Sequence, residues 1–345
     1  MFAHRVIHRG PNVRELPRGE EIAPRYLVDG REHDVASFMD RNVISGLLVL
    51  RHGKVVLERY GLDLGEHDRW STMSTVKSMT AMLVGAAVHG GAIASIDEEL
   101  TRYLPALRGS AYEGVTLRHV MTMSSGVRWN EDYTDRHSDV NRYSKSLADK
   151  APGGVLRLMA SLPRAHPPGA AFLYNSGDTY LLGAALTQAI GKPLADYMSE
   201  KIWQPAGMEC DAFYTLESEG GQEIGGSRAG MVLRDFGRFG LFVLDDGVIG
   251  GKRVLPEGWV EAAATPAFAL AAPPVVDITH YGYSWWLGKG VMAALGHAGQ
   301  RIDIFRNEGL VVVTLGAFPQ PLYAPPADHH RRNEVVAFTN AVRAT

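Results

Sequence analysis

The run Met79-Thr80-Ala81-Met82-Leu83-Val84-Gly85-Ala86-Ala87-Val88 carries no charge and shows no polar face. It predicts a helix apolar on all sides, which belongs at the centre of a fold. Gly90-Gly91 supplies its C-terminal stop. Around this helix the pattern changes twice. Residues 1–24 are polar, with Pro11, Pro17 and Pro24, and predict an extended arm. Residues 44–50 and 55–60 flank His52-Gly53-Lys54 and predict a β-hairpin turning at Gly53. From the apolar helix to about residue 250 the signals are mainly helical. They cover 116–122, opened by a Thr cap, then 176–190, ended by Gly191-Lys192-Pro193. Residues 194–203 and 234–244 follow, the last stopped at Asp245-Asp246-Gly247. Four short strands are then expected at 282–287, 291–295, 300–306 and 310–316, and a helix over about 328–342 closes the chain.

Strands at both ends with helices between predict the α+β class, an antiparallel sheet flanked by helices with an inserted all-α domain. The sheet domain is expected to hold residues 25–75 and 250–345, and the helical domain residues 76–249. The site is expected between them, with the whole chain acting as one catalytic unit. No repeat or low-complexity segment interrupts this plan.

Composition narrows the function classes. The chain has 345 residues, 46% hydrophobic and 21% charged, as expected of a soluble globular protein. A net charge of -3 gives no attraction to nucleic acid or an anionic membrane, so neither is an expected partner. The cluster His329-His330-Arg331-Arg332 is expected on the wet face of the closing helix. A single cysteine, Cys210, rules out an intrachain disulfide and fits a reducing compartment. Met1-Phe2-Ala3-His4-Arg5 leads into no apolar run, so no signal peptide is expected and a cytoplasmic location is. The sequence has no H-E-x-x-H, C-x-x-C, G-x-G-x-x-G, P-loop or G-x-S-x-G, so no metal or nucleotide cofactor is expected.

The chemistry that stands out lies at the mouth of the apolar helix. Ser74 and Lys77 are three residues apart, hence on one helix face, in the chain's only S-x-x-K. A desolvated lysine at a helix start loses its proton more easily and can activate the serine. The helix start also offers N–H groups to an oxyanion. Tyr174, just before another apolar helix, can point beside Lys77; the cation would lower its phenol pKa and the pair would share a proton. A buried ring with a wet hydroxyl is the alternative. Asn175 or Ser176 is placed to cap the following helix. In Gly296-His297-Ala298-Gly299-Gln300 the small residues let backbone approach a ligand, and His297 is either structural or part of the site.

Ser74-Thr75-Val76-Lys77, Tyr174-Asn175-Ser176 and His297-Ala298-Gly299 stand in the order and rough spacing of the serine β-lactamase and penicillin-binding-protein superfamily. From about residue 40 onward the chain resembles its class C-like branch, which includes carboxylesterases, D-aminopeptidases and 6-aminohexanoate-oligomer hydrolases. Tyr103-Leu104-Pro105, the stretch from Leu117 to Gly126, and Tyr281-Gly282-Tyr283-Ser284-Trp285-Trp286 add to the likeness. Trp129-Asn130-Glu131-Asp132-Tyr133 is similar to a segment of the oligomer hydrolases whose tyrosine reaches the substrate cleft.

The resemblance implies a β-lactamase-like fold. It implies Ser74 as acylated nucleophile, Lys77 as base or proton relay, and Tyr174 as donor to the leaving group. The backbone N–H groups of Ser74 and Gln300 would form the oxyanion hole. Tyr133, Ser176, His297, Gly299 and Trp286 would contact substrate. Glu131, Asp132 and Asp135 could attract an ammonium end. Two departures matter: His297 stands where β-lactamases carry a lysine, and Ser176 replaces the amide of Tyr-x-Asn. A neutral histidine holds a carboxylate less well, which argues against β-lactams.

The expected function is hydrolysis of a small ester or linear amide through a Ser74 acyl-enzyme, without cofactor. A β-lactamase or D-amino-acid peptidase is the alternative, and a catalytically silent ligand-binding protein is the alternative of another class. A homodimer is compatible with the sequence.

Overall fold

The computed structural model describes residues 2–271, 274–319 and 327–345. Eight strands form one antiparallel sheet: β1 (Ile44–Arg51), β2 (Lys54–Tyr60), β3 (Phe268–Ala269), β4 (Ile278–Tyr281), β5 (Trp286–Gly288), β6 (Val291–Leu295), β7 (Arg301–Phe305) and β8 (Leu310–Gly316). Their order is β3-β4-β5-β6-β7-β8-β1-β2. The helices that frame the site are α1 (Val35–Arg41), α2 (Thr75–His89), α3 (Ser176–Ile190), α4 (Leu233–Leu244) and α5 (Ala327–Ala344).

The central strands are apolar on both faces because both faces are covered. In β1, Leu48 and Leu50 pack into one core with Phe236 and Phe239 of α4. Leu47 and Val49 point the other way, toward Phe38 of α1 and Phe338 of α5, whose rings stack at 3.9 Å. The β1–β2 turn puts both His52 (φ 49°) and Gly53 (φ 77°) in the left-handed region, which suits the twist of a two-residue hairpin. On the far side of the first core lies α2, buried at every residue from Thr75 to Ala87. Val76 and Met79 share a hydrophobic cluster with Leu48, so sheet and helical region have one continuous core.

Four expectations need correction. First, residues 76–249 are not wholly helical, and the extended N-terminal arm supplies a strand. His4–Ile7, Ala212–Thr215, Ala229–Met231 and Trp70–Ser71 form a second, four-stranded sheet. Strands of two to four residues are too short to show alternation. Later the arm runs along β2: Gly19 N–H donates to Val55 O at 2.9 Å and Ile22 N–H to Val56 O at 3.0 Å. It thereby covers an open sheet edge. Second, α4 falls within 76–249 but packs on the sheet; a Cβ on Gly237 would lie 2.6 Å from Leu48 Cδ2. Third, 282–285 is a corner, and only Trp286 and Leu287 of the expected strand belong to β5. Ser284 has φ 57°, and its N–H donates to Met121 O at 2.7 Å. Ser78 Oγ donates to Ser284 O at 2.6 Å, so the corner is docked on the helical region. Neither β3 nor β4 is among the strands expected from the sequence. Fourth, 194–203 divides into Leu194–Met198 and a wider turn at Ser199–Trp203. No helix among the described residues is long and apolar enough to cross a membrane.

Candidate active site

The second sheet positions Ser74. Thr72 N–H donates to Ala229 O at 3.0 Å, and Thr72 Oγ1 accepts from Ala229 N–H at 3.1 Å. Met73 then takes φ 45°, an unusual value for a non-glycine residue, and turns the chain into α2. Ser74 occupies the N-cap position, yet its hydroxyl makes no capping bond. It accepts from Lys77 Nζ at 3.0 Å instead.

Lys77 is 2% exposed. Its nitrogen also contacts Ser176 Oγ at 3.1 Å and the carbonyl of Gly226. That carbonyl reaches Lys77 because Gly226 lies flat on the start of α3; a Cβ there would come 2.9 Å from Thr179 Cβ and 3.0 Å from Ser176 O. Burial pushes the amine down to about 8, against the opposing pull of Glu131.

Tyr174 is half-buried at the entry to α3. Its ring stacks on Trp286, with centroids 5.3 Å apart, and its hydroxyl has Ser74 as a hydrogen-bond partner. The expectation of a lowered phenol pKa is overturned. Burial raises it well above 10, with Tyr281, Glu131 and Tyr133 adding to the effect. Asn175 caps α3, its Oδ1 accepting from Asp178 N–H at 3.1 Å. Ser176 is thus left to face Lys77.

The third segment is a tight turn with Ala298 at φ 58° and Gly299 at φ 92°. The Gln300 carboxamide holds it. Nε2 donates to His297 O at 3.0 Å and Gly316 O at 2.8 Å, and Oε1 accepts from Trp70 Nε1 at 2.9 Å. Among the described residues, neither the Ser74 nor the Gln300 backbone N–H is used in the fold's own hydrogen bonds.

These parts open on a cleft of about 370 Å³. Ser74, Tyr133, Tyr174, Trp286 and His297 line it, together with Leu295, Pro274 and Arg332. The Tyr133 and His297 rings lie 5.2 Å apart. Gly299 and Gln300 wall an adjoining pocket of about 290 Å³. Lys77 and Ser176 lie behind Ser74, both buried.

Sequence reasoning missed one participant and misplaced two. Gly226 contributes only backbone, which leaves no side-chain signal. Arg332 is 7% exposed and borders both cavities, contrary to its expected place on the wet face. It precedes the buried Val335 and Val336 by three and four residues, and that spacing was the available signal. His330 is exposed as expected, and the side chain of His329 lies outside the described residues. Glu131 faces inward rather than toward an ammonium group. Its carboxylate accepts from Ser176 Oγ at 2.5 Å, Ser176 N–H at 3.0 Å, Tyr133 Oη at 2.8 Å and the Trp129 indole. Asp132 and Asp135 accept from Thr134 and His137 N–H groups and shape local turns. Elsewhere, His67, Glu209 and Cys210 bring ligand-type atoms within 4.8 Å of one another, away from this cleft.

The beta-lactamase family model matches residues 32–335. Over 307 residues the chain is 28% identical to the 6-aminohexanoate-dimer hydrolase of Paenarthrobacter ureafaciens, covering 84% of this chain and 76% of that protein. Over 187 residues it is 29% identical to Esterase EstB of Burkholderia gladioli, covering 50% of this chain and 47% of the esterase. A Bacillus anthracis structure provisionally named a 6-aminohexanoate-dimer hydrolase superposes with a TM-score of 0.85 at 22% identity, over 99% of this chain and 89% of that one. The chain belongs to the beta-lactamase family and is a serine hydrolase with that family's α+β fold.

Proposed function

We propose that this member of the beta-lactamase family cleaves a linear amide or a small ester through an acyl-enzyme on Ser74. The observation that carries the reading is the buried Lys77 amine, 3.0 Å from Ser74 Oγ, with its pKa brought down to about 8 by burial. A neutral Lys77 takes the Ser74 proton as Oγ attacks the carbonyl carbon. The developing oxyanion meets the N–H groups of Ser74 and Gln300. The ammonium form of Lys77 then returns the proton toward the leaving atom, with the neutral phenol of Tyr174 as donor. Water enters by the reverse route and releases the acid.

The aromatic and apolar wall of Tyr174, Trp286, Leu295 and Pro274 suits an uncharged chain beside the scissile bond. The similarity to a 6-aminohexanoate-dimer hydrolase and to an esterase supports the two substrate classes. His297 at the start of the third segment favours these over β-lactams.

The test is a substrate panel of p-nitrophenyl acetate and butyrate, an aminohexanoate dimer, and nitrocefin, run on the protein and on Ser74→Ala. Ester or amide turnover lost in Ser74→Ala is the expected result. A nitrocefin kcat/KM within about tenfold of the best ester overturns the substrate class, since pocket contacts of this kind discriminate by about 10- to 200-fold. Undiminished turnover in Ser74→Ala overturns the mechanism.

A further inference from the structure

A neutral lysine has two N–H bonds and one lone pair. The Lys77 nitrogen meets three oxygens, those of Gly226, Ser176 and Ser74. Proton transfer requires the lone pair to face the Ser74 hydroxyl. The Gly226 carbonyl can only accept, so it takes one N–H. A serine hydroxyl can donate or accept, and Ser176 would compete for the lone pair unless its own hydrogen were committed elsewhere. The Glu131 carboxylate, 2.5 Å from Ser176 Oγ, commits it. Ser176 donates to Glu131 and is left as an acceptor for the second Lys77 N–H. The lone pair then falls to Ser74.

The same carboxylate oxygen takes the Tyr133 hydroxyl hydrogen at 2.8 Å. Glu131 is itself anchored by the Ser176 N–H and the Trp129 indole.

We propose that Glu131 is a positioning residue: it fixes Ser176 as an acceptor and so aims the Lys77 lone pair at Ser74. The inference rests on the roles given above to Ser74 and Lys77. The titratable groups facing Lys77 are Glu131, from the loop after Trp129, and the Tyr174 phenol, before α3. The segment at Gly226 offers a carbonyl only.

The test is Glu131→Gln: one Glu131 oxygen takes both hydroxyl hydrogens and the other takes the Ser176 and Trp129 N–H groups, so the amide nitrogen must oppose either both hydroxyls or both anchoring N–H groups. At the plateau of the pH profile, kcat/KM for p-nitrophenyl butyrate should fall about 10- to 100-fold, the range of a misdirected general base. The acid limb should move to lower pH, because the charge that favours the ammonium is gone. An unchanged ester plateau with an unmoved limb overturns the proposal. Ser176→Ala should cost as much on the ester as Glu131→Gln, and the double variant should be no worse; additive losses overturn the relay.

Should Glu131→Gln fail to fold, Ser176→Ala must lower the ester plateau; an unchanged plateau counts against the proposal. A wild type that cleaves neither ester nor amide, or a fully active Ser74→Ala, defeats the function reading instead. A Ser74-dependent wild type with an indifferent Glu131→Gln defeats this inference alone.

Discussion

The Lys77 amine lies 5.0 Å from the centre of the Tyr174 ring, and burial moves the two groups in opposite directions. The amine falls to about 8 while the phenol rises well above 10. Near neutrality, then, Lys77 is the group able to accept the Ser74 proton, and Tyr174 stays a donor. It follows that kcat/KM for p-nitrophenyl butyrate should rise with pH through a limb near about 8 and stay level to about pH 10. A limb below about pH 6.5, where an ordinary histidine titrates, would point to a different base.

The same burial gives a stability signature. The folded pKa of Lys77 is depressed from the ordinary 10.5. The folded chain therefore holds this proton more weakly than the unfolded chain. The penalty is absent above the unfolded value, grows as pH falls toward about 8, and is constant below. Lys77→Met removes the penalty along with the activity. Its effect on Tm should be more favourable at about pH 7 than at about pH 10. Thermal melts of both proteins at the two pH values check this, and the opposite order would contradict a buried, proton-poor amine.

Gly296 fixes the distance between the sheet and the turn before Ser74. A Cβ there would lie 2.8 Å from Thr72 O and 3.1 Å from Met73 Cβ. Gly296→Ala should wedge β6 from the nucleophile. The expected result is a loss of about 1–3 kcal/mol in stability and about 100-fold or more in kcat. Denaturant melts with steady-state kinetics measure both; unchanged kcat would show the two sides to be independent.

Gln300 carries the other half of the oxyanion site, and its side chain keeps its backbone in place. Gln300→Ala removes the bonds to His297, Gly316 and Trp70. Turnover should fall about 100-fold, as for a lost oxyanion donor, with KM within a few-fold. A change confined to KM would assign the turn to substrate binding instead.

How far these features were legible depended on how local they were. Ser74 and Lys77 share one helix, so their spacing alone brings them together. The cap at Asn175 and the stop at Gly191 were likewise written within a few residues. The sequence suggests an ammonium-attracting role for Glu131 because its actual partner, Ser176, lies 45 residues away. The strand Ala229–Met231 is only three residues long and includes Gly230, so it offered no alternation to read. Ser284 at φ 57° breaks what looks like one strand. Arg332 was judged from its charged neighbours rather than from Val335 and Val336 below it. The opposite shifts of Lys77 and Tyr174 depend on burial, which only the packed structure reveals.

The central claim is that Ser74 carries the acyl group. Incubating the protein with a fluorophosphonate, digesting it and locating the adduct by mass spectrometry tests this most directly. The expected result is a single modified site at Ser74, absent from Ser74→Ala and slowed in Lys77→Met. An adduct on Ser71, Ser78 or Ser176, or labelling that survives in Ser74→Ala, would contradict it.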